Sequence, residues 1–335
     1  MKPVLRNSVL ALTACFSLGQ PAFAETGYTK TKYPILLVHG LFGFDNILGA
    51  DYFYGVRDTL AREGAVVFQT SVSATQSNEV RGEQLVTELK RLKAQLGNSP
   101  TIKFNLIGHS QGSPTARYAA AKVPELVASV TSVGGVNRGA KIADVVRGTI
   151  APGSVSESVA NAASAALTKV LGVAAGTDLS QSGVAALNSL TTAGSAVTTK
   201  IAPDGVPTPA CPSTYSLNDL LTGTTPAFTW NSGNAAGSHI SKKGIHYYSW
   251  IGISTVTNVL DPVDGGVGVV SLVYGKELSD GIVGACSQVL GKVVGAYKMN
   301  HLDEVNMSFG LTHLFEVNPK TVYRKHVNFL KGKGL

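Results

Sequence analysis

The sequence predicts an α/β fold built on a mostly parallel, doubly wound sheet. Three observations predict it: the apolar run YPILLVHG at residues 33–40, an alternation of strand and helix patterns after it, and helix-start signals that follow the strand patterns. A short apolar run that ends in glycine is typical of a strand buried on both faces, as in parallel sheets. Alternating elements then put helices on both faces of that sheet.

The elements follow in order along the chain. Residues 65–72, AVVFQTSV, are predicted as the second strand. The segment SNEVRGEQLVTELKRLKAQLG begins with Ser77, a typical helix cap, and repeats leucine at helical spacing. TIKFNLIGHS is predicted as the next strand, and PTARYAAAKVP as a helix with Pro114 in its first turn.

Residues 1–24 have the order of a secretory signal peptide. Lys2 and Arg6 precede an apolar run, and Ala22, Phe23 and Ala24 follow it. The apolar run is too short for a transmembrane helix. We therefore expect an exported, extracellular protein in which residues 25–335 form a single domain. A lipoprotein signal that ends at Cys15 is the alternative.

The composition excludes one class of partner and predicts one covalent bond. The formal net charge is +7, but lysine and arginine form no cluster on one helix and no basic run with interleaved aromatics, so we predict no nucleic-acid binding. Cys211 and Cys286 remain after removal of the signal. An even pair of cysteines in an exported protein most simply forms one disulfide, and two free buried thiols are the alternative.

Residues 148–199 have an unusual composition. Small residues dominate, and the charged residues within the segment are Glu157, Lys169 and Asp178. Two interpretations remain open: a pair of small-residue helices packed on the core, or a mobile flap whose apolar face, on a helix from Val155 to Leu171, meets lipid.

The motif G-x-S-x-G at residues 108–112 makes Ser110 a candidate nucleophile. A predicted strand precedes it and a predicted helix follows it, which is the sharp turn that an exposed catalytic serine requires. The main-chain N–H of the next residue, Gln111, would be one oxyanion donor, and that of Leu41, after the first strand, the second. His39 and His109 are interpreted as structural, because both flank backbone that must stay rigid.

The order serine, acid, histidine restricts the general base to a downstream histidine. The candidates are His239, His246, His301, His313 and His326. Spacing alone does not choose the acid: Asp303 lies two residues after His301, and Asp280 lies in a turn after the apolar run VGVVSLVY, which we interpret as a strand.

Several segments together are far more specific than G-x-S-x-G. They are YPILLVHGLFGFDNILG, EVRGEQL, NLIGHSQG, YYSW, LDPVD, SDGIVGACS and NHLDEVN. On these segments the chain resembles the secreted bacterial true lipases typified by those of Pseudomonas and Burkholderia, over nearly all of residues 25–335. The resemblance implies an α/β-hydrolase fold with a helical lid within about 148–199, and a triad of Ser110, Asp280 and His301 with Leu41 and Gln111 as oxyanion donors.

The same resemblance implies a structural calcium ion, a disulfide between Cys211 and Cys286, and maturation with the help of a foldase. The calcium ion would be bound by the carboxylates of Asp261 and Asp303 and by the main-chain oxygens of Met307 and Leu311. Maturation would use a dedicated periplasmic foldase, and the folded enzyme would be a monomer. The chain departs from the family pattern at Ser113, commonly glycine, and Asn137, frequently histidine.

The implied activity is hydrolysis of long-chain triacylglycerol at a lipid–water interface through an acyl-enzyme. Within enzymes, the alternative is a carboxylesterase for short soluble esters, which would show no rise in activity above the solubility limit of the substrate. A different class, a catalytically silent lipid-binding surface protein, would leave Ser110 unreactive towards a phosphonate probe.

Overall fold

The computed structural model describes residues 27–41, 46–47, 50–148, 182–208, 216–222, 229–230, 239–261, 263–307, 310–313 and 315–335. The predicted signal peptide, the predicted helix from Val155 to Leu171 and Cys211 lie outside these residues. No helix in the described ranges is long and apolar enough to cross a membrane.

A six-stranded sheet organises the chain. Its strands, in chain order, are β1 (Ile35–Val38), β4 (Val67–Gln69), β5 (Phe104–His109), β6 (Val127–Val133), β9 (His246–Gly252) and β10 (Lys292–Tyr297). Every neighbouring pair is parallel, in the order β10-β9-β6-β5-β1-β4. Short antiparallel pairs are formed by β2 (Asn46–Ile47) with β3 (Ala50–Asp51), and by β7 (Pro207–Thr208) with β8 (Thr229–Trp230).

Helices cover both faces of the sheet. The described helices are α1 (Val56–Ala61), α2 (Asn78–Gln95), α3 (Gly112–Lys122), α4 (Lys141–Val146), α5 (Gly183–Leu190), α6 (Thr192–Ile201), α7 (Leu217–Thr222), α8 (Asp264–Val270), α9 (Ala285–Gln288) and α10 (Pro319–Gly332). Together with the parallel sheet they confirm the predicted doubly wound α/β fold.

Alternation along β1 shows how the two faces are filled. Leu36 and Val38 belong to a core cluster with the leucines of α2 and the alanines of α3. Ile35 and Leu37 belong to a second cluster on the opposite face, with side chains of α1 and α10. All four are fully buried, as expected for a strand between two helical layers.

Local signals located most of these elements correctly. Ser77 caps α2 and its Oγ accepts a hydrogen bond from Val80 N, as the sequence indicates. The second strand is shorter than the predicted 65–72, because pairing with β1 is limited to Val67–Gln69.

The described part of the 148–199 segment contains a helical hairpin. α5 and α6 have small residues on the sides that pack inward, with Ala186 and Ser195 almost fully buried. This part matches the interpretation of small-residue helices packed on the core. The flap itself stays a prediction.

Candidate active site

The turn after β5 carries Ser110. β5 ends at His109 and α3 begins at Gly112, so the serine stands where a strand meets a helix. Ser110 has a φ of +54°, in the left-handed region that residues with a side chain rarely adopt. A Cβ at Gly112 would lie 2.1 Å from Val38 O, so glycine is required for the helix to approach β1 this closely. The turn has the form of a nucleophile elbow.

Three side chains from distant parts of the sequence meet at this turn. His301 Nε2 lies 2.8 Å from Ser110 Oγ, and His301 Nδ1 lies 2.8 Å from Asp280 Oδ2. Since Nδ1–H donates to the carboxylate, the lone pair on Nε2 can accept the serine proton. The three residues are almost fully buried.

Main-chain groups hold Asp280 in this orientation. Its Oδ1 accepts hydrogen bonds from Ile282 N (2.9 Å) and Val283 N (2.7 Å), which leaves Oδ2 directed to the histidine. The N–H of His301 donates to the Asp280 carbonyl at 2.9 Å. The acid and the histidine are therefore fixed to each other through both backbone and side chain.

The segment before Asp280 differs from the prediction. VGVVSLVY is helical, comprising the end of α8 and a 3₁₀ helix at Ser271–Tyr274, and is not a strand. Val267 and Val270 are buried at helical spacing, whereas Leu272 is exposed. A short apolar run does not distinguish a strand from a buried helix by periodicity, and here the helix forms.

The loop after β1 approaches Ser110 through Gly40. A Cβ at Gly40 would lie 2.7 Å from the Cβ of Ser110 and 2.7 Å from the hydroxyl of Tyr52, so a larger residue does not fit. Leu41, the predicted oxyanion donor, follows in this loop and is partly exposed. Gln111, the other predicted donor, is buried at the start of α3.

A buried guanidinium links this loop to the segment after β4. Arg81 Nη2 donates to the His39 carbonyl at 2.5 Å, and Nη1 donates to the Ser73 carbonyl. Burial, followed by the charge of Arg81, lowers the pKa of His39 to about 3. His39 is therefore neutral near pH 7 and has a structural environment, as interpreted from the sequence.

His109 links the nucleophile turn to the loop of the catalytic histidine candidate. Its Nε2–H donates to the His301 carbonyl at 2.9 Å, so its Nδ1 accepts from the Tyr52 hydroxyl at 2.6 Å. Burial, and then the charge of His301, lowers the pKa of His109 well below its usual range. One ring nitrogen thus bonds the His301 backbone, and the other bonds the Tyr52 side chain.

Glu304 was missed by sequence reasoning. Its fully buried carboxyl places Oε2 at 3.3 Å from His109 Nε2 and 3.9 Å from His301 Nδ1. Burial, followed by the charge of Asp280, raises its pKa well above the usual range, so the neutral acid is favoured. The signal was its position three residues after His301, because a helical turn at 303–305 brings such residues onto the same side.

His109, His301 and Glu304 have ligand atoms within 4.8 Å of one another. The nitrogens of this group are already engaged: those of His301 contact Ser110 and Asp280, and those of His109 contact Tyr52 and the His301 carbonyl. A metal here would replace these hydrogen bonds, so the arrangement favours proton transfer over metal binding.

The predicted calcium ligands Asp261 and Asp303 lie in neighbouring buried positions. Burial raises the pKa of Asp303 to about 6, although hydrogen bonds from Thr257 and Asn300 lower it, and the charges of Asp264 and Asp261 raise it further. Asp264, which was not predicted as a ligand, is thus part of the same acidic group. A cation would relieve this mutual repulsion, and oxygen donors of this kind suit calcium.

Two main-chain oxygens complete the predicted ligand set. Met307 is partly buried and Leu311 is 41% exposed, both in the loop that follows Asp303. The Met307 carbonyl accepts from Gly310 N at 3.3 Å. The donor set of two carboxylates and two carbonyls fits the chemistry of a calcium site, although the metal itself stays a prediction.

The remaining predicted residues have these positions. Ser113 Oγ donates to Asn137 Oδ1 at 2.8 Å, so the two departures from the family pattern contact each other behind the nucleophile turn. Cys286 is fully buried. Its pairing with Cys211 stays a prediction. Among the other downstream histidines, His326 places Nε2 at 2.8 Å from Thr131 Oγ1 on β6.

Comparison with known proteins gives concordant results. The profile of the alpha/beta hydrolase fold family matches residues 33–180. A triacylglycerol lipase of Vibrio cholerae is 46% identical over 94% of this chain and 92% of its own length. A triacylglycerol lipase of Pseudomonas fragi is 39% identical over 91% of this chain and 98% of its own length.

Among solved structures, a lipase of Staphylococcus hyicus has a similar fold. The TM-score is 0.55 at 16% identity, with coverage of 91% of this chain and 97% of that chain. At this identity the likeness concerns the fold alone.

Proposed function

The chain belongs to the triacylglycerol lipase family of the α/β-hydrolase fold, and from this premise we propose that it hydrolyses acylglycerol esters with Ser110 as the nucleophile. The observation that carries the proposal is the continuous hydrogen-bonded line from Ser110 Oγ through His301 to Asp280. A buried serine, base and acid in this order are suited to acyl transfer.

The first half of the reaction forms an acyl-enzyme. His301 Nε2 takes the proton of Ser110 as Oγ attacks the ester carbonyl, and Asp280 stabilises the imidazolium through Nδ1–H. The carbonyl oxygen becomes an oxyanion, which the N–H groups of Leu41 and Gln111 stabilise. Collapse of this intermediate breaks the ester bond, and His301 gives its proton to the departing glycerol oxygen.

The second half releases the fatty acid. A water molecule gives a proton to His301 Nε2 and attacks the acyl carbonyl, and the oxyanion again faces the two N–H donors. When this intermediate collapses, Ser110 leaves and recovers its proton from His301. The fixed Asp280 carboxylate keeps the imidazole in the same tautomer in both halves.

Calcium is proposed as a structural component. Asp261 and Asp303, with the carbonyls of Met307 and Leu311, would hold it, and the bound ion would supply a fixed positive charge among buried acids. The raised pKa of Asp303 is consistent with the proposal, because burial raises it first and the charges of Asp264 and Asp261 raise it further. The site would hold the loop of His301 against the loop of Asp261.

The export, maturation and site of action of the enzyme are proposed from the resemblance to secreted bacterial lipases. We infer export by residues 1–24, maturation with a periplasmic foldase, a disulfide between Cys211 and Cys286, a lid within about 148–199, and action as a monomer at lipid interfaces. The long-chain preference belongs to this proposal as well.

One hydrolysis series tests substrate and interface together. We expect activity on emulsified esters from tributyrin to triolein, with a rise above the solubility limit of the shorter substrates. A preparation that hydrolyses only dissolved tributyrin would indicate a carboxylesterase. If the folded protein hydrolyses no ester in the presence of calcium, the proposal that it is an ester hydrolase is refuted.

A further inference from the structure

A buried amide connects the nucleophile turn to the α5–α6 hairpin. We propose that Asn78 is a positioning residue that holds the Gln111 side chain, and through it the main-chain N–H that stabilises the oxyanion. This inference rests on the proposed function, because it assigns a role in the same site. Asn78 lies at the first position of α2, outside the predicted catalytic set.

Main-chain hydrogen bonds hold the peptide units on both sides of Gln111. The Ser110 carbonyl accepts hydrogen bonds from Ser113 N (3.1 Å) and Val136 N (3.2 Å), which orients the peptide unit whose N–H belongs to Gln111. The Gln111 carbonyl accepts from Thr115 N within the first turn of α3. The contacts of the Gln111 side chain add a further restraint to these main-chain bonds.

The side chain of Gln111 is held at its amino end. Nε2 donates to the Gln76 carbonyl at 2.8 Å and to Asn78 Oδ1 at 3.2 Å, and it lies 3.5 Å from Ser189 Oγ. Gln111 Oε1 is buried with no hydrogen-bond partner in the described ranges. The contacts on Nε2 therefore set the orientation of the whole side chain.

Asn78 uses its other atoms to bind the hairpin. Its Nδ2 donates to the Ser189 carbonyl at 3.2 Å and to Thr198 Oγ1 at 3.1 Å, and its main-chain N donates to Ser189 Oγ at 3.3 Å. Ser189 belongs to α5 and Thr198 to α6. Asn78 is fully buried, so water does not compete for these bonds.

The hairpin is itself anchored to the core. Asp144 of α4 accepts from the N–H and the hydroxyl of Thr192, at the start of α6, at 2.9 and 2.7 Å. Arg117 of α3 donates to the Ala202 carbonyl at the end of α6, at 2.6 Å. Asn78 therefore links Gln111 to a hairpin whose second helix, α6, is held at both ends.

Asparagine is the residue type that this position requires. One end of its amide accepts from Gln111 while the other end donates to two acceptors on the hairpin. Alanine removes both functions, and the Gln76 carbonyl and Ser189 are then the contacts that remain for Gln111 Nε2. We therefore expect a loosened Gln111 in a chain that still folds.

The test measures kinetics on dissolved p-nitrophenyl butyrate, which avoids interface effects. Asn78→Ala should lower kcat about tenfold with KM within twofold, because an oxyanion donor acts on the transition state and not on the bound ester. The rate of inactivation by a phosphonate ester should fall by a similar factor.

Asn105→Ala is the matched control. Asn105 is a fully buried asparagine near the start of β5, bonded to Ser129 Oγ (2.8 Å) and the Tyr33 carbonyl (3.2 Å), and it has no bond to Gln111. Asn105→Ala should lose thermal stability, as Asn78→Ala should, and keep kcat within twofold. A loss of kcat in Asn78→Ala no larger than in Asn105→Ala would overturn the proposal.

Gln111→Met is the second variant and keeps the main-chain N–H. It should reproduce the loss of kcat, and the double variant should lose no more than either single one, because both remove the same link. Multiplied effects, or a kcat of Gln111→Met within twofold of the parent, would overturn the proposal even if Asn78→Ala does not fold. Wild-type activity that survives in Ser110→Ala would instead refute the proposed function, and this inference with it.

Discussion

Two groups of buried acids lie side by side at the carboxyl ends of the strands, and they differ in how their charges are compensated. The Asp280 carboxylate accepts hydrogen bonds from two main-chain N–H groups and from the His301 ring. Around Asp303, burial raises the pKa of the carboxyl, and the charges of two further acids, Asp264 and Asp261, raise it further. The first group pairs an aspartate with a histidine, whereas the second brings three aspartates together, of which Asp264 and Asp303 also accept hydrogen bonds.

The difference indicates what each group is built to do. A carboxylate with matched donors keeps a histidine in one tautomer and needs nothing from solution. Buried acids that repel one another favour a cation from solution, which lowers the free energy of the folded state. Chemistry and the proposed metal binding would thus be separated, although Asp303 is only two residues from His301.

The largest expected effect is that of Ser110→Ala. Removing Oγ removes the nucleophile of the first group, so kcat on tributyrin should fall by about 10⁴-fold or more, with little change in melting temperature. Activity within tenfold of the parent, in a preparation free of other esterases, would contradict the assignment.

Asp280→Asn should give the next largest loss, about 10³-fold or more in kcat, because the amide no longer stabilises the imidazolium. Glu304, 3.9 Å from His301 Nδ1, provides a neighbouring carboxyl that can retain part of the activity. Asp264→Asn is the control from the other acidic group and should keep kcat within tenfold. The reverse ranking would move the acid to Asp264.

Removing calcium should act on the second group directly and on activity through the loop that carries His301. Dialysis against EGTA should lower the melting temperature by several degrees and reduce activity, and added calcium should restore both, because the ion offsets the repulsion among the acids. Asp303→Ala should respond to neither treatment. An unchanged melting temperature and turnover after dialysis, with no calcium by elemental analysis, would show that no ion is held there.

His326, which belongs to neither group, is a buried histidine whose pKa shift comes from burial alone, and it predicts how stability changes with pH. Burial lowers the pKa of His326 to about 3, below its usual value of 6.5, so its contribution to stability is present above pH 6.5 and is lost as the pH falls towards 3. The stability advantage of the parent over His326→Gln should shrink by about 3 kcal/mol from pH 7 to pH 4. Urea unfolding at both pH values measures it, and a constant difference would contradict the neutral buried form.

The sequence was sufficient for the elements whose signals are local. The apolar run of β1, the capping serine of α2 and the strand–turn–helix context of Ser110 each depend on adjacent residues. VGVVSLVY was misinterpreted because a short apolar run has no periodicity that separates strand from helix. The acidic group around Asp303 was predicted only in part, since Asp264 joins it through folding.

Contacts over long separations in sequence could not be predicted from local signals. Asn78 meets Ser189 at a separation of 111 residues, and nothing near either residue indicates the pairing. Glu304 is the intermediate case, because its spacing from His301 was visible but its burial beside His109 depends on packing between loops.

Labelling with a phosphonate ester tests the central claim most directly, because the reagent reacts with a serine that its own base activates. Intact mass and peptide mapping should show one adduct per chain, on Ser110, with activity lost in proportion to labelling. Asp280→Asn should label far more slowly. Complete inactivation without an adduct on Ser110, or full activity in a chain labelled there, would contradict the account.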